Sequence, residues 1–452
     1  MKIIIIDDDP TGSQTVHDCF LLLNWDYETL LKGFQSKSNL LFILANTRAL
    51  SENKAKKRIQ EISYSLMTFF DKEGYKKSDF IFVSRGDSTL RGHNFMEPNE
   101  INLILGPFDA TFHIPAFIEG KRITINGRHF INDKPAHMTI YAEDIIYGYE
   151  TNNIKQLLHD KSNNKLGLDD IKNLDLSELS QLDIIENNKV YNKLRNLKNN
   201  TQVIVDSENY TNLKKFASAV QNLYLQKNFL FRTAASFITV ISNSANNSKD
   251  KNFYSNLRRK NKKNKFLPGL IIVGSYIEIT TIQLEQILLR DECKAVELDV
   301  VKFYTIYKSK DKQKKLFSFK QDLLTKIKSY LGDLFTPVLY TSRKFISLQD
   351  NNEQIAFYNS LSLFIAEIVA DVKNQIAYLI SKGGITSNII LSNGFNADYV
   401  YLEGQILQGI SLVTLSLSNI NETIPVVTFP GNIGEKDTLV EVWSILENKI
   451  FK

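Results

Sequence analysis

Three acidic residues stand together near the start of the chain, directly after a short apolar run. Ile3-Ile4-Ile5-Ile6 is followed by Asp7-Asp8-Asp9-Pro10-Thr11-Gly12. Carboxylates this close repel one another, so they need a cation, a basic side chain or a shared proton beside them. Thr11 and Gly12 favour a turn whose backbone N–H groups face a ligand. A purely structural loop has little reason to accept this repulsion, so the run predicts a functional site.

A second dense polar segment follows the apolar run at residues 80–83. Its sequence is Ser84-Arg85-Gly86-Asp87-Ser88-Thr89-Leu90-Arg91-Gly92-His93. Arginine binds carboxylate or phosphate with two parallel hydrogen bonds, and glycine lets the backbone approach a ligand closely. A third polar group, Asn46-Thr47-Arg48, follows the apolar run at residues 40–45. The two segments together predict a site for a small anionic molecule with hydroxyl groups.

Three glycine-bearing segments with neighbouring hydroxyls lie in the second half of the chain. They are Gly274-Ser275, Gly383-Gly384-Ile385-Thr386-Ser387 and Pro430-Gly431-Asn432-Ile433-Gly434. Such loops present backbone N–H donors with no side chain in the way, which suits the phosphates of a nucleotide. Each segment alone is typical of an ordinary turn, but together they favour a triphosphate site. The sequence motifs of P-loop, dinucleotide-binding and protein-kinase sites are missing.

The histidines and cysteines do not predict a metal site. His113, His129 and His137 lack the tight spacing of metal ligands, so we expect them to face a substrate or to be structural. Cys19 and Cys293 are the only cysteines, which argues against a disulfide framework and a structural zinc site. This cysteine content favours a reducing, cytoplasmic environment.

The elements that carry these clusters follow an α/β pattern. Apolar strands end in polar clusters, and a helical stretch at residues 54–70 separates two of them, which is typical of a parallel sheet. Ligands bind at the carboxyl ends of such strands. In the second half we predict a long helix at residues 354–381 and strands at residues 270–273, 295–298, 389–391, 411–415 and 426–429.

Length and composition predict a multidomain globular protein. The 452 residues are 43% hydrophobic and 23% charged. We predict domains at residues 1–240 and 267–452, joined by a flexible, Asn- and Lys-rich linker at residues 241–266. The net charge of +5 is too weak to argue for a nucleic-acid partner. No apolar run approaches the roughly 18–20 residues of a membrane-spanning helix, so no membrane partner is expected.

The clusters and their order resemble the four-carbon acid sugar kinase family over nearly the whole chain. The family's DD-x-TG element is similar to residues 8–12, and its R-x-DST-x-RG element to residues 85–92. Its GS, GG-x-TS, GQ-x-x-x-G and PGN-x-G elements resemble residues 274–275, 383–387, 404–409 and 430–434. The commoner family form has leucine in place of Pro10 and alanine in place of Ser13. This chain therefore resembles a divergent branch, whose acid substrate is open.

The resemblance implies two mainly parallel α/β domains, with a sugar acid bound in the first, ATP in the second and phosphoryl transfer in an interdomain cleft. It implies ATP contacts at Ser275, Gly383, Gly384, Ile385, Thr386, Gly431, Asn432 and Gly434. A threonate- or erythronate-like acid is expected to contact Thr11, Asn46, Arg48, Arg85, Asp87, Ser88 and Arg91. Asp8 is predicted to be the general base, supported by Asp7 or Asp9, and Mg²⁺ is expected to arrive with ATP. The oligomeric state is open, with a homodimer as one option.

Two other functions remain alternatives. The spacing of Asp7, Asp9 and Thr11 after an apolar run is also typical of haloacid-dehalogenase-like phosphatases, in which Asp7 would be the nucleophile. That alternative leaves the second half of the chain unexplained. A kinase that had lost its activity would bind a metabolite without releasing ADP.

Overall fold

The structure is a computed structural model that describes residues 2–9, 16–144, 146–185, 188–243, 249–344, 346–348, 350–417 and 422–449. The chain divides into two units, Met1–Asn246 (the first unit) and Asn247–Lys452 (the second unit). In each of them helices connect the strands of a mainly parallel sheet. The predicted α/β fold class is confirmed.

The first unit is built on a parallel sheet with a small antiparallel sheet beside it. Its strands are β1 (Lys2–Asp7), β2 (Cys19–Leu22), β3 (Leu40–Leu44), β4 (Phe80–Arg85), β5 (Ala110–Ile114), β6 (Arg122–Ile125), β7 (Arg128–Ile131), β8 (Lys134–Pro135), β9 (Ile171–Leu174), β10 (Thr201–Val205) and β11 (Phe229–Thr233). Its helices are α1 (Tyr27–Phe34), α2 (Glu52–Glu73), α3 (Met96–Leu105), α4 (Ile154–Lys161), α5 (Leu176–Gln181), α6 (Lys189–Arg195), α7 (Tyr210–Leu223) and α8 (Ala235–Ile241). In the described residues the parallel strands lie in the order β2-β3-β1-β4-β11-β5-β10-β9, and β6, β7 and β8 pair antiparallel.

Apolar patterning explains the centre of this sheet. Strand β1 pairs in parallel with β3 on one side and β4 on the other, and Ile3, Ile4, Ile5 and Ile6 are each at most 2% exposed. A continuous β-branched run suits a strand that is covered on both faces. Because β3, β1 and β4 are parallel neighbours, their carboxyl ends lie side by side at one edge of the sheet.

The second unit has a mixed sheet. Its strands are β12 (Leu270–Val273), β13 (Cys293–Leu298), β14 (Thr336–Thr341), β15 (Leu379–Lys382), β16 (Tyr399–Leu407), β17 (Ile410–Leu417) and β18 (Glu422–Phe429). Its helices are α9 (Lys251–Asn256), α10 (Glu278–Leu288), α11 (Val300–Tyr307), α12 (Lys312–Gly332), α13 (Asn351–Val372), α14 (Gly384–Ile389) and α15 (Thr438–Glu447). In the described part, β13-β14-β12-β15-β18 are parallel, and β17 and β16 continue the sheet antiparallel.

Two predicted elements of this unit were wrong. The helix predicted at residues 354–381 ends at Val372, and its last residues form strand β15 instead. The strand predicted at residues 389–391 is helical, because α14 continues into a π-helical turn at Ile390–Gly394. Short apolar runs suit a buried helix and a buried strand equally well, so periodicity could not separate them.

Helix α13 corrects the expectation that no apolar stretch of the chain is as long as a membrane-spanning helix. The window Glu353–Gln375 has a mean hydropathy of 1.5 over a span long enough to cross a membrane. Half of that window is buried inside the protein. Phe357, Ile365 and Ile368 are at most 2% exposed, as in the core helix of a globular unit.

The structure also differs from the flexible linker predicted at residues 241–266. Residues 251–256 form helix α9, and Tyr254 is 2% exposed in the core of the second unit. The Tyr254 hydroxyl donates a hydrogen bond to the backbone carbonyl of Gln405 at 2.7 Å. Arg259 forms an ion pair with Glu422 at 2.6 Å. The linker was predicted from the polar composition of the segment, which does not reveal that a few of its side chains attach it to the sheet.

Candidate active site

Polar side chains from three neighbouring strands of the first unit form an arginine–aspartate cluster, which we define as Asp7, Asp8, Asp9, Arg48, Arg85 and Asp87. The aspartates come from the end of β1, Arg48 from the turn after β3, and Arg85 and Asp87 from the end of β4. The structure therefore brings together the three polar segments that the sequence analysis identified in the first half of the chain, at residues 7–9, 46–48 and 84–93.

Arg48 is the centre of the cluster. Its Nη2 atom donates to Asp8 Oδ1 at 2.7 Å, and its Nη1 atom lies 3.1 Å from Asp9 Oδ2. Asp87 Oδ2 is 3.9 Å from the same Nη1 atom. Arg85 Nη1 donates to Asp8 Oδ1 at 3.1 Å and to Asp7 Oδ1 at 3.4 Å. The guanidinium groups thus supply the positive charge that the adjacent carboxylates need.

Two buried polar atoms in this cluster are left without a hydrogen-bond partner in the described structure. They are Asp7 Oδ2, an acceptor, and Arg85 Nε, a donor. Buried polar groups are nearly always paired in folded proteins. An unpaired acceptor and donor in one charged cluster are what the hydroxyl or carboxylate of a small ligand would satisfy.

The surroundings shift the pKa values of Asp7 and Asp87 in opposite directions. Burial raises the pKa of Asp7 to about 7, and Asp8 and Asp9 add to the rise while Arg85 opposes it. Burial also acts to raise the pKa of Asp87, but Arg48 and Arg91 outweigh it and hold this pKa below its ordinary value. With a pKa near 7, Asp7 is the better suited of the two to proton transfer at neutral pH, where Asp87 is ionised.

The loop after β4 is held in place from several sides. Thr89 donates its hydroxyl to Asp87, and Arg91 Nε donates to Asp87 Oδ2 at 2.9 Å. His129 donates from Nε2 to the Ser88 carbonyl at 2.8 Å, and the Tyr149 hydroxyl donates to the Thr89 carbonyl at 2.7 Å. His129 is fully buried, so it has the structural role that was one of its two predicted roles.

The other predicted substrate residues are placed as follows. Ser88 is 5% exposed and accepts a hydrogen bond from Arg122. Asn46 has a left-handed backbone with φ of 50°, and its N–H donates to the Asp7 carbonyl at 3.2 Å. Thr11 lies outside the described residues, as does the rest of 10–15, where the sequence departs from the commoner family form.

Arg232 is a member of this neighbourhood that the sequence did not indicate. It lies on β11, next to β4, with a side chain only 5% exposed. Its Nη1 atom donates to Ser84 Oγ at 2.8 Å and to Glu97, and its Nη2 atom lies 3.9 Å from Asp8 Oδ2. The available signal was one arginine in an otherwise apolar strand, Phe229-Leu230-Phe231-Arg232.

The three predicted glycine segments of the second unit come together at one edge of its sheet. They follow β12, β15 and β18, which are adjacent parallel strands. Their backbones are tied to one another: Gly274 N–H donates to the Lys382 carbonyl at 3.0 Å, and Gly383 N–H donates to the Phe429 carbonyl at 2.8 Å. We call residues 274–275, 383–387 and 430–434 the glycine loops.

The backbone conformation at Gly383 requires glycine, and little space is left for a side chain at Gly431. Gly383 has φ of 134°, a conformation that side-chain-bearing residues rarely adopt. A Cβ atom on Gly431 would lie 2.5 Å from Ser275 Oγ. The loops therefore pack closely at the carboxyl ends of β12, β15 and β18, where the N–H groups of Gly274 and Gly383 are already paired with strand carbonyls. Of the other predicted ATP residues, Thr386 is buried and Ile385 is 56% exposed.

Two basic residues at this edge were not identified from the sequence. Lys382 is 0% exposed, and its Nζ donates to the Pro430 carbonyl at 3.1 Å. Arg343, after β14, donates from Nη1 to the Ser275 carbonyl at 2.7 Å. Within the described residues neither forms an ion pair with a carboxylate. Lys382 was recognisable only as the residue directly before Gly383-Gly384.

Protein side chains do not form a ready metal cage in the described part of the chain, where no three or more His, Cys, Asp or Glu residues are grouped to hold an ion.

Comparison with known families resolves the identity of the two units. A family model described as a sugar-binding N-terminal domain matches residues 3–241, and one described as a nucleotide-binding C-terminal domain matches residues 270–439. This is the architecture of four-carbon acid sugar kinases. The chain belongs to this family. Within it, the arginine–aspartate cluster lies in the sugar-binding domain and the glycine loops lie in the nucleotide-binding domain.

One curated relative is similar to part of the chain. A D-erythronate kinase of Heliobacterium modesticaldum (strain ATCC 51547 / Ice1) is 26% identical over 149 residues, which are 32% of this chain and 32% of the relative. The match thus spans about a third of the length of that kinase.

Two solved structures share the fold. Haemophilus influenzae protein HI1011, assigned to DUF1537, has a TM-score of 0.63 at 16% identity and covers 98% of this chain and 100% of its own. A Salmonella typhimurium LT2 protein, solved under the provisional description of a tRNA synthase, has a TM-score of 0.69 at 12% identity. That match covers 97% of this chain and 98% of the other. At such identities the likeness concerns the fold alone.

Proposed function

We propose that this protein is an ATP-dependent kinase that phosphorylates a hydroxyl group of a small sugar acid. The observation that carries the proposal is the contrast between two strand-end sites in separate family domains. One gathers arginines and aspartates, and the other gathers glycine loops over a buried lysine. The first suits an anionic polyol and the second suits a phosphate chain.

The arginines provide the acid specificity in this proposal. Three arginines, Arg48, Arg85 and Arg91, lie in or beside the arginine–aspartate cluster. Arg91 is the most exposed of them, with 27% of its side chain exposed against 17% for Arg48 and 11% for Arg85. Its guanidinium is oriented by Asp87 and lies 5.3 Å from the centre of the Tyr141 ring. We assign the substrate carboxylate to Arg91, and the substrate hydroxyls to the unpaired Arg85 Nε and to the cluster carboxylates.

The proposal assigns the general base to Asp7, in place of Asp8 as predicted from the sequence. Asp8 Oδ1 already accepts hydrogen bonds from Arg48 and Arg85, so this carboxylate is engaged in holding the two guanidinium groups. Asp7 combines a carboxylate oxygen without a described partner with a pKa of about 7. A base is most effective when its pKa lies near the working pH. Asp8 would then position Arg48 and Arg85.

In the second unit, the nucleotide phosphates are proposed to bind backbone N–H groups of the glycine loops other than those of Gly274, Ser275 and Gly383, which already donate to strand carbonyls. Residues Ser275, Gly383, Gly384, Ile385, Thr386, Gly431, Asn432 and Gly434 stay the predicted contacts. Mg²⁺ would enter with the nucleotide and reduce the negative charge of the phosphates. The protein's part is to position the phosphate chain.

The proposal extends to the substrate, the cellular location and the oligomeric state. A four-carbon acid such as threonate or erythronate is the first substrate to test, since the curated relative is named a D-erythronate kinase. A cytoplasmic location and a homodimer stay predictions. Cys19 and Cys293 are both free and buried. We do not expect a nucleic-acid or membrane partner.

The test is an ADP-release assay over four- to six-carbon sugar acids, with ³¹P NMR to detect the phosphate ester. We expect ADP release only when both ATP and one acid are present. ADP release without a new phosphate ester contradicts the proposal. Phosphate release from a sugar phosphate in the absence of ATP would support the phosphatase alternative, in which Asp7 is the nucleophile. Binding of acid and nucleotide without any turnover would indicate a metabolite-binding protein.

A further inference from the structure

Lys382 is an unusual residue because a complete ammonium side chain is enclosed in the second unit. It is the last residue of β15, between β12 and β18, and is 0% exposed. Its Nζ donates to the Pro430 carbonyl and lies 3.7 Å from the centre of the Phe429 ring. The backbone of Lys382 also accepts hydrogen bonds from the N–H groups of Gly274 and Ser275. It therefore contacts segments of two glycine loops and directly precedes the third.

No nearby carboxylate compensates the charge of Lys382 in the described part of the chain. The elements packed around it are β12, β18 and α14. Of these, β12 and α14 contain no charged residue, and the single acid of β18, Glu422, stands at the opposite end of that strand and pairs with Arg259. Arg343, which donates to the Ser275 carbonyl, adds positive charge to the same edge. A buried cation without a counter-ion is costly, so such a lysine tends to lose its proton unless an anion approaches it.

We propose that Lys382 is the charge-compensating residue of the nucleotide site, and that it takes up a proton from solvent when the phosphate chain binds at the glycine loops. Lys382 is a positioning residue in this scheme: its positive charge lies beneath loops whose N–H groups bind the phosphates. This inference rests on the proposed function, because it needs a nucleotide in the second unit.

The protonation behaviour of Lys382 agrees with this role. Burial lowers the pKa of the Lys382 ammonium to about 7. In the free protein at pH 8 the amine is therefore mostly neutral, which removes the cost of an unpaired buried cation. A bound polyanion raises this pKa again, so binding draws a proton from the buffer. Nucleotide affinity should accordingly fall as the pH rises above about 7.

The experiment is calorimetry of ADP binding to the full-length protein at pH 8, in buffers with different ionisation enthalpies. The wild type should take up about one proton per ADP. Lys382→Met removes both the charge and the hydrogen bond, and Lys382→Gln keeps a donor for the Pro430 carbonyl without the charge. Both variants should show no proton uptake. At pH 6.5, where the wild-type lysine is mostly charged, both should bind ADP about 10- to 100-fold more weakly than the wild type.

Lys373→Met is the matched control. Lys373 also donates to a backbone carbonyl, that of Gly394 at 3.1 Å, and lies 6.0 Å from the centre of the Phe395 ring, but it is partly exposed. This variant should retain the proton uptake and affinity of the wild type. Thermal unfolding of each variant without nucleotide establishes that it is folded, and Lys382→Met should be no less stable than the wild type at pH 6.5.

Three results would overturn the inference. Proton uptake that persists in Lys382→Met would place the titrating group elsewhere. Normal affinity of Lys382→Gln, together with weak binding by Lys382→Met, would mean that Lys382 acts only through its hydrogen bond. Loss of uptake in Lys373→Met would mean that the effect is not specific. A wild type that binds no ADP would instead contradict the proposed function itself.

Discussion

Asp7 and Asp8 are adjacent in the chain but differ in what surrounds their carboxylates. If Asp7 is the base, it must be deprotonated to act, so kcat/KM for the acid at saturating ATP should rise with pH and level off above about 7. Asp7→Asn should lower kcat by about 100- to 10,000-fold and remove this dependence. Steady-state kinetics from pH 5.5 to 8 measure both effects.

Asp8→Asn is the informative comparison for Asp7. It should mainly raise KM, because Arg48 and Arg85 lose the acceptor that orients them. If Asp8→Asn abolishes turnover while Asp7→Asn retains near-normal kcat, the base is Asp8, as the sequence alone suggested.

Arg91 should act on ground-state binding of the acid. Arg91→Ala is expected to raise KM for the acid by about 10- to 100-fold, since it removes a charge-assisted hydrogen bond, with kcat changed much less. Arg128→Ala is the control, because Arg128 is an exposed arginine on β7 of the same unit. A KM that stays within error of the wild type would remove Arg91 from carboxylate recognition.

The sequence alone identified some residues of the two sites and missed others. Asp7, Arg48 and Arg85 were identified because each stands at the end of an apolar run, and strand ends meet in a parallel sheet. Arg232 and Lys382 could not be identified in this way. Each is one charged residue in an apolar strand, and its role depends on a neighbouring strand that the local sequence does not specify.

In the proposed site, the strands and loops of the second unit form one frame for a phosphate chain. Gly431→Val should disrupt this frame, because even a Cβ atom would lie 2.5 Å from Ser275 Oγ. We expect ADP affinity to fall by at least about tenfold, measured by calorimetry, while acid binding is unchanged.

Gly332→Ala provides the control for this substitution. Gly332 is the last residue of α12, and a Cβ there would have no neighbour within 4 Å. Alanine also has the higher helix propensity, so ADP affinity should be that of the wild type. Normal ADP binding by Gly431→Val would separate the glycine loops from the nucleotide site.

Element prediction succeeded where the pattern was long or was bounded by polar residues. Helix α2 was expected at residues 54–70 and spans Glu52–Glu73, because Ala55, Ile59, Ile62 and Leu66 recur on one buried face. Prediction failed for β15 and α14, where a few apolar residues adjoin Gly383-Gly384. Only pairing with β12 and β18 determines that residues 379–382 are extended.

Our central claim is that the two family domains bind different ligands, a sugar acid in the first and a nucleotide in the second. Length and motif order predicted it, and the matches over residues 3–241 and 270–439 agree with that order. The sequence could not predict that part of the apparent linker, around Tyr254, belongs to the core of the second unit.

Hydrogen exchange of the full-length protein, measured with each ligand separately, tests this division most directly. ADP alone should slow amide exchange at residues 274–275, 383–387 and 430–434, and a sugar acid alone should slow it at residues 46–48 and 85–92. Protection of the arginine–aspartate cluster by ADP, with no protection of the glycine loops, would contradict the account.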